Sequence, residues 1–162
     1  MRMLCVISLV LALVPCLSGQ TQQPAKAVDA KVETIVFIRH AEKPEAGLGQ
    51  LNCRGLNRAL ALPAVLTSKF GKLDQIYAPD PAGKVHDAAG TFDYLRPLVT
   101  IEPTAIRLGM SVSCDYRYDQ IKELETELLS PERVGQVIVV VWEHQFLNRV
   151  RETTPSHENL SA

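Results

Sequence analysis

Two histidines, His40 and His144, each end an apolar run of the sequence. His40 follows Arg39 at the end of ETIVFIRH (residues 33–40), and His144 ends QVIVVVWEH (residues 136–144). A neutral imidazole held through one ring nitrogen by a backbone carbonyl can attack phosphorus with the other nitrogen. A neighbouring guanidinium can bind two oxygens of the transferring group at once. These residue types indicate chemistry on an anion, and we expect a phosphoryl group.

The two apolar runs are the elements that must bring these histidines together. Both are too short to cross a bilayer, and their content of Val and Ile favours strands over helices. Buried strands of this kind are typical of mostly parallel sheets, in which the strand ends border the ligand crevice. Either histidine alone is more simply a residue that caps a strand, whereas the pair favours a shared site. There His144 would donate a hydrogen bond to a phosphoryl oxygen.

Strands and helices alternate along the rest of the chain. The predicted elements are a helix over 54–70 interrupted at Pro63, a strand over 73–78, a loop over 82–91, a broken helical region over 92–108 with a kink or fresh start at Pro103, an amphipathic helix over 119–129 and a short helix over 145–151. This order predicts an α/β fold, a three-layer α/β/α sandwich around a mostly parallel sheet.

The composition is that of one globular domain with a separate N-terminus. The chain has 162 residues, of which 46% are hydrophobic and 22% charged, and a net charge of -1. This balance, without a run of Lys or Arg, disfavours nucleic acid or an anionic membrane as the main partner. Residues 1–19 have the pattern of a cleaved signal peptide. We expect a linker over 20–31, the domain over 32–151 and a polar tail over 152–162, in an exported protein, secreted or periplasmic, without a membrane span after cleavage.

Export also bears on the cysteines. Cys53 and Cys114 would remain after signal cleavage, in an oxidising compartment. A disulfide between them and two free thiols are equally compatible with the sequence. Neither cysteine has a histidine beside it in sequence, so a nucleophilic thiolate has little support.

Five motifs resemble the histidine phosphatase superfamily, which has the phosphoglycerate-mutase-like fold. They are, in chain order, IVFIRHAEKP, LNCRGLNRA, IYAPDP, RPLVTIEPTAIRLG and VVVWEH. The second resembles the family's Leu-Thr-x-x-Gly-x-x-Gln-Ala segment with Asn52 in place of Thr. Ala41 stands where the family commonly has Gly after the Arg-His pair. The resemblance spans residues 33–148, nearly all of the predicted domain.

The resemblance implies a phosphatase site. His40 would be the nucleophile that becomes phosphohistidine, and Arg39, Arg96 and His144 would bind the phosphoryl oxygens. No metal or other cofactor is implied, because the arginines supply the positive charge. The expected substrate is a small phosphomonoester or a phosphorylated protein side chain.

Two assignments within this site stay open. The stretch between Pro79 and Arg96 is longer than is usual in the family, so Lys84 and Arg107 are alternatives for the second pocket cation. The general acid that protonates the leaving group is not identified. Its candidates are Glu42, Asp115 and Glu143, each also expected by default to be a solvated or ion-paired carboxylate.

Two other classes of function are compatible with the sequence. One is a non-catalytic relative that binds phosphate without turnover. The other is a metal hydrolase using His40, His86 and His144, which lacks a compact ligand motif such as HExxH. His86 and His157 otherwise lie in loop-like or tail segments. A mutase is disfavoured by export and by the lack of a large insertion, and the oligomeric state is left open.

Overall fold

A computed structural model describes residues 32–143 of the chain. The elements are, in chain order, β1 (Thr34–Arg39), α1 (Cys53–Phe70), β2 (Gln75–Tyr77), β3 (Lys84–Asp87), β4 (Gly90–Asp93), α2 (Arg96–Leu108), α3 (Ile121–Leu128), a 3-10 turn (Pro131–Arg133) and β5 (Val137–Trp142).

The main sheet has three strands in the order β1-β5-β2, and both pairs are parallel. The central strand β5 is buried from Ile138 to Trp142, as expected for an apolar strand that is covered on both faces. Arg39 lies opposite Trp142 in the register, so β1 and β5 end side by side. The prediction of an α/β fold with a mostly parallel sheet is confirmed.

Helices cover both faces of this sheet. On one face, Leu66 of α1 and Ile101 of α2 pack with Val139 and Val141 of β5. On the other face, Leu124 and Leu128 of α3 pack with Ile138, Val140 and Trp142. Successive residues of β5 alternate between the two clusters, as strand geometry requires. The three layers are therefore those of the predicted sandwich.

Both helices with an internal proline are continuous through it, contrary to the predicted interruption at Pro63 and the alternative of a fresh start at Pro103. α1 is continuous past Pro63, and α2 is continuous past Pro103 from Arg96 to Leu108. A proline removes one backbone hydrogen bond from a helix, which tertiary packing can offset. In α1 the proline itself is buried, within a stripe formed by Gly55, Ala59, Pro63 and Leu66. Packing of that stripe accounts for the unbroken helix.

The segment 82–91 was expected to be a loop and is mostly a β-hairpin. β3 and β4 pair antiparallel around the two residues Ala88 and Ala89, with Val85 opposite Phe92. Gly90 has φ 135°, a conformation that favours glycine after the turn. The strands have only four residues each, too short for periodicity to reveal them in the sequence. Helix α2 consequently begins at Arg96 and not at Phe92.

Several predictions concern residues outside the described range of 32–143: the signal peptide, the linker, the helix over 145–151, the polar tail and the end of the predicted domain at 151. Within 32–143, no helix is long and apolar enough to cross a bilayer. Cys53 and Cys114 are both free thiols, so the disulfide alternative is not realised. Burial is the main cause that raises the pKa of Cys114, which makes it a poor thiolate.

Candidate active site

His40 lies directly after β1, at the carboxyl edge of the parallel sheet. Its backbone N–H donates to the carbonyl of Trp142 at 3.2 Å, which extends the β1–β5 pairing by one residue. Its ring is almost fully buried, with 5% of the residue exposed. Nδ1 lies 2.8 Å from the backbone carbonyl oxygen of Ala41. Because a carbonyl can only accept, Nδ1 must carry the hydrogen in this bond, which leaves the lone pair of the neutral ring on Nε2.

The surroundings of His40 also favour the neutral ring. Burial is the largest cause that lowers its pKa below 6.5, and the hydrogen bond to Ala41 partly opposes it. The charges of Arg96 and Arg39 lower the pKa further, while the carboxylate of Glu143 raises it. The net shift is downward, so the imidazole is unprotonated at neutral pH. An oriented neutral imidazole is the state that a histidine nucleophile requires.

The turn after His40 is fixed to α2. The N–H of Ala41 donates to the Thr100 hydroxyl at 2.9 Å, and that hydroxyl donates to the Arg96 carbonyl at 2.7 Å. Ala41 is 1% exposed, so its methyl group fills space within this turn. The carbonyl that orients the His40 ring is therefore held in place by a helix from another part of the chain.

A pocket of about 260 Å³ opens beside His40. It is lined by Arg39, His40, Ala41, Glu42, Lys43 and Arg58. Three of these side chains are cationic and one is acidic. Such a pocket can attract an anion, and its arginines can bind phosphoryl oxygens in pairs.

Arg96, expected in the phosphoryl pocket, is buried behind it. Its guanidinium is 3% exposed and donates from Nη1 to Asp87 Oδ2 at 2.5 Å. The same guanidinium lies 5.0 Å from the centre of the Tyr94 ring, and the Tyr94 ring meets the His40 ring edge-on at 6.3 Å between centroids. Arg96 is absent from the pocket lining, although its charge acts on His40.

Asp87, at the end of β3, is the centre of a buried network that the sequence did not indicate. Its carboxylate accepts hydrogen bonds from Lys43 Nζ at 3.0 Å, from the Gly49 N–H at 3.0 Å and from Arg96. Burial alone would raise the pKa of Asp87, but these three donors lower it from 3.8 to about 2. The carboxylate is therefore ionised at neutral pH.

The chain wraps closely around this carboxylate at Gly47. A Cβ added at Gly47 would lie 2.1 Å from Asp87 Cγ, and the residue has φ 85°. Only glycine fits both the close approach and the left-handed backbone. The turn after His40 that contains Gly47 thus encloses an internal carboxylate.

Two of the three candidate general acids lie near His40. Glu42 lines the pocket, and its Oε2 is buried without a hydrogen-bond partner among residues 32–143. Glu143 follows β5, and its charge acts on both His40 and Tyr94. Asp115 does not line the pocket; its carboxylate accepts from the Ser113 hydroxyl and its charge acts on Cys114.

The other candidates occupy different surroundings. Lys84 pairs with Asp93 across the exposed face of the hairpin, and Arg107 is exposed in the last turn of α2. His86 is exposed on the hairpin, with Nδ1 3.2 Å from the Thr91 hydroxyl. His144 and His157 lie outside the described residues. Within 32–143, no group of three or more His, Cys, Asp or Glu side chains could hold a metal ion.

Sequence reasoning missed five residues of the site: Arg58, Lys43, Tyr94, Thr100 and Asp87. For Arg58 a signal existed: it stands six residues after Asn52, whose side chain accepts from the Gly55 N–H and caps α1. A helix start at that cap places Arg58 in the second turn, near the residues that follow His40. No comparable signal marks Asp87, because it depends on a pairing between distant segments.

This chain is similar in structure to a solved protein of distant sequence. SixA from Nakamurella multipartitia, described as a candidate phosphohistidine phosphatase, is 19% identical over 78% of this chain and 74% of that one, with a TM-score of 0.49. No family model matches this chain, and no curated protein matches it significantly.

Proposed function

We propose that this protein is a metal-independent phosphatase that hydrolyses phosphomonoesters through a phosphohistidine on His40. The observation that carries the proposal is the bond from Nδ1 to the Ala41 carbonyl, which leaves Nε2 as the nucleophilic atom of a neutral ring. The cationic pocket beside that ring supports it, and so do the five sequence motifs of the histidine phosphatase superfamily.

In the first step, the Nε2 lone pair attacks phosphorus and the ester P–O bond breaks. The leaving alkoxide takes a proton from a carboxylic acid, for which Glu42 and Glu143 are the candidates near the ring. In the second step, water gives a proton to the carboxylate formed in the first step and attacks the phosphohistidine, and the P–N bond breaks. Inorganic phosphate leaves, and His40 returns to its neutral state with the Ala41 bond intact.

The cations divide between direct and indirect roles. Arg39 lines the pocket and would bind the phosphoryl oxygens that develop charge in the transition state. We assign the same direct role to His144. Arg96, buried against Asp87, would act through its charge on the ring, and we propose that it also binds a phosphoryl oxygen when the substrate is present. The expected setting is an exported protein acting on a small phosphorylated substrate or a phosphoprotein.

A second candidate function is phosphate binding without turnover. The observation that favours it is the pairing of Arg96 with Asp87, which removes one expected cation from the pocket. In that case His40 would contact the anion without forming a covalent bond to it. The two functions differ in whether a phosphoenzyme forms.

The deciding experiment is hydrolysis of p-nitrophenyl phosphate by the full chain in the presence of EDTA. We expect turnover in the wild type and a loss of about 10³-fold or more in His40→Ala, because the nucleophile is removed. His86→Ala, on the exposed hairpin, is the matched control and should retain activity. Rapid quenching should trap an acid-labile, alkali-stable phosphoprotein in the wild type and in His86→Ala but not in His40→Ala.

Full activity in His40→Ala would end the phosphohistidine proposal. Activity abolished by EDTA would favour the metal hydrolase. Saturable binding of inorganic phosphate without turnover of any phosphomonoester would favour the non-catalytic function.

A further inference from the structure

The first turns of α1 are fixed against the residues that follow His40. The Asn52 N–H donates to the Glu42 carbonyl at 2.9 Å, and Asn52 Nδ2 donates to the Lys43 carbonyl at 3.0 Å. A Cβ at Gly55 would lie 2.3 Å from the Glu42 carbonyl oxygen, so the helix backbone packs directly on this segment. The position of α1 relative to the pocket is therefore determined, and with it the position of Arg58.

Arg58 lines the pocket with most of its hydrogen-bonding capacity unused. Nη1 lies 3.8 Å from Glu42 Oε1, beyond hydrogen-bond distance, and its guanidinium makes no hydrogen bond within residues 32–143. The side chain is 44% exposed. Its planar set of N–H donors can therefore bind an incoming carboxylate or phosphate.

The cations that line the pocket differ in what they already bind. Lys43 donates to Asp87 at 3.0 Å, whereas the Arg58 guanidinium makes no hydrogen bond within residues 32–143. A phosphomonoester has a charge of about -1.5 to -2 at neutral pH, and Arg39, next to His40 in sequence, would bind its phosphoryl oxygens. Arg58 enters from α1, whereas Arg39 and Lys43 flank His40 in sequence. Its guanidinium is thus placed for a second group and is not required by the first.

We propose that Arg58 binds a second anionic group on the substrate, so that the preferred substrates are small phosphomonoesters that also bear a carboxylate or a second phosphate. The inference rests on the proposed function, since it places the first phosphoryl group beside His40. The pocket volume of about 260 Å³ suits a small molecule. Either source of the second charge offers the pair of oxygens that a guanidinium binds.

The test compares ethyl phosphate with phosphoglycolate, which differ by a carboxylate, and with the bisphosphate of ethanediol. We expect kcat/KM of the full chain to be about tenfold or more higher for both doubly anionic substrates, the effect of one hydrogen-bonded ion pair. In Arg58→Gln the ratio of kcat/KM for the doubly anionic substrates to that for ethyl phosphate should fall to near unity. Arg54→Gln is the control, since this exposed arginine lies one turn earlier on α1 and does not line the pocket.

Binding of the same three compounds, measured by calorimetry, separates this inference from the proposed function. A preference that depends on Arg58 without turnover would support the anion subsite and overturn the phosphatase. Turnover without any preference would overturn the subsite and leave the phosphatase standing. An equal loss in Arg54→Gln would show a general field effect and overturn a role specific to Arg58. Faster turnover of an acidic phosphopeptide than of phosphoglycolate would overturn the assignment to small molecules.

Discussion

Two ion pairs near His40, Arg96–Asp87 and Arg58–Glu42, differ in burial and in distance. The Arg96–Asp87 pair is joined at 2.5 Å by side chains that are 3% and 2% exposed. The Arg58–Glu42 pair is 3.8 Å apart, between side chains that are 44% and 35% exposed. The same residue types therefore serve different purposes: the buried pair holds the framework behind His40, and the open pair can exchange its partner for a ligand.

The reason for the difference is the cost of desolvation. A buried charge without a partner is strongly unfavourable, so neither Arg96 nor Asp87 can be released cheaply. An exposed pair has water as an alternative partner, and its net contribution to stability is about 0.2–1 kcal/mol. Arg58 can therefore leave Glu42 at little cost when an anion enters, whereas withdrawal of Arg96 from Asp87 would need compensation by the ligand.

The largest expected effect is on stability, in Asp87→Asn. This change leaves the Arg96 charge buried without its counter-ion and should lower the free energy of unfolding by about 3–5 kcal/mol. The matched control is Arg58→Gln, which breaks the exposed pair and should cost less than about 1 kcal/mol. Urea unfolding of the wild type and both variants measures this difference. Equal losses in the two variants would contradict the distinction between the pairs.

A smaller effect on stability is expected in acid. The folded pKa of Asp87 is about 2, below its ordinary value of 3.8. A depressed pKa stabilises the folded state above pH 3.8, and this contribution disappears as the pH falls from about 4 to 2. The shift corresponds to about 2 kcal/mol. Asp74 and Glu127 also have lowered pKa values, so the quantity to measure is the difference between wild type and Asp87→Asn.

That difference in unfolding free energy should shrink as the pH is lowered from 5 towards 3, within the range where both proteins fold. A constant difference over this range would mean that the ionised carboxylate of Asp87 does not stabilise the fold.

The same contrast explains what the sequence could reveal. The apolar runs that form β1 and β5 predicted the parallel sheet and the place of His40, because burial on both faces imposes a continuous apolar pattern. Asp87 could not be found, because its role depends on Lys43, Gly49 and Arg96 meeting at one point in space. The pattern of residues within one segment does not show which distant segments come into contact in the fold.

Two other features were predicted wrongly from the sequence: the helix α1, expected to be interrupted at proline, and the segment 82–91, expected to be a loop. Pro63 predicted an interruption of α1, because local propensity is the only term visible in the sequence. The buried stripe around it decides otherwise. The four-residue strands β3 and β4 depend on pairing with one another. Their hairpin places Asp87 within hydrogen-bond distance of Arg96.

The smallest predicted effect concerns the protonation of His40. The pKa of His40 lies below 6.5, so the ring is still neutral when the pH falls just below that value. We expect kcat/KM to decline only when the pH reaches this lowered pKa, because protonation of the ring then removes the nucleophilic lone pair. Glu143 is the weakest of the groups acting on the ring, and its carboxylate raises the pKa. Glu143→Gln should therefore move the acid limb of the pH profile of kcat/KM to lower pH.

With p-nitrophenyl phosphate, whose leaving group needs little protonation, the shift of this limb can be separated from loss of a general acid. Glu102→Gln, exposed on α2, is the control and should leave the limb in place. An acid limb that moves to higher pH in Glu143→Gln would contradict this account, in which the charge of Glu143 raises the pKa of His40 and the charges of Arg96 and Arg39 lower it.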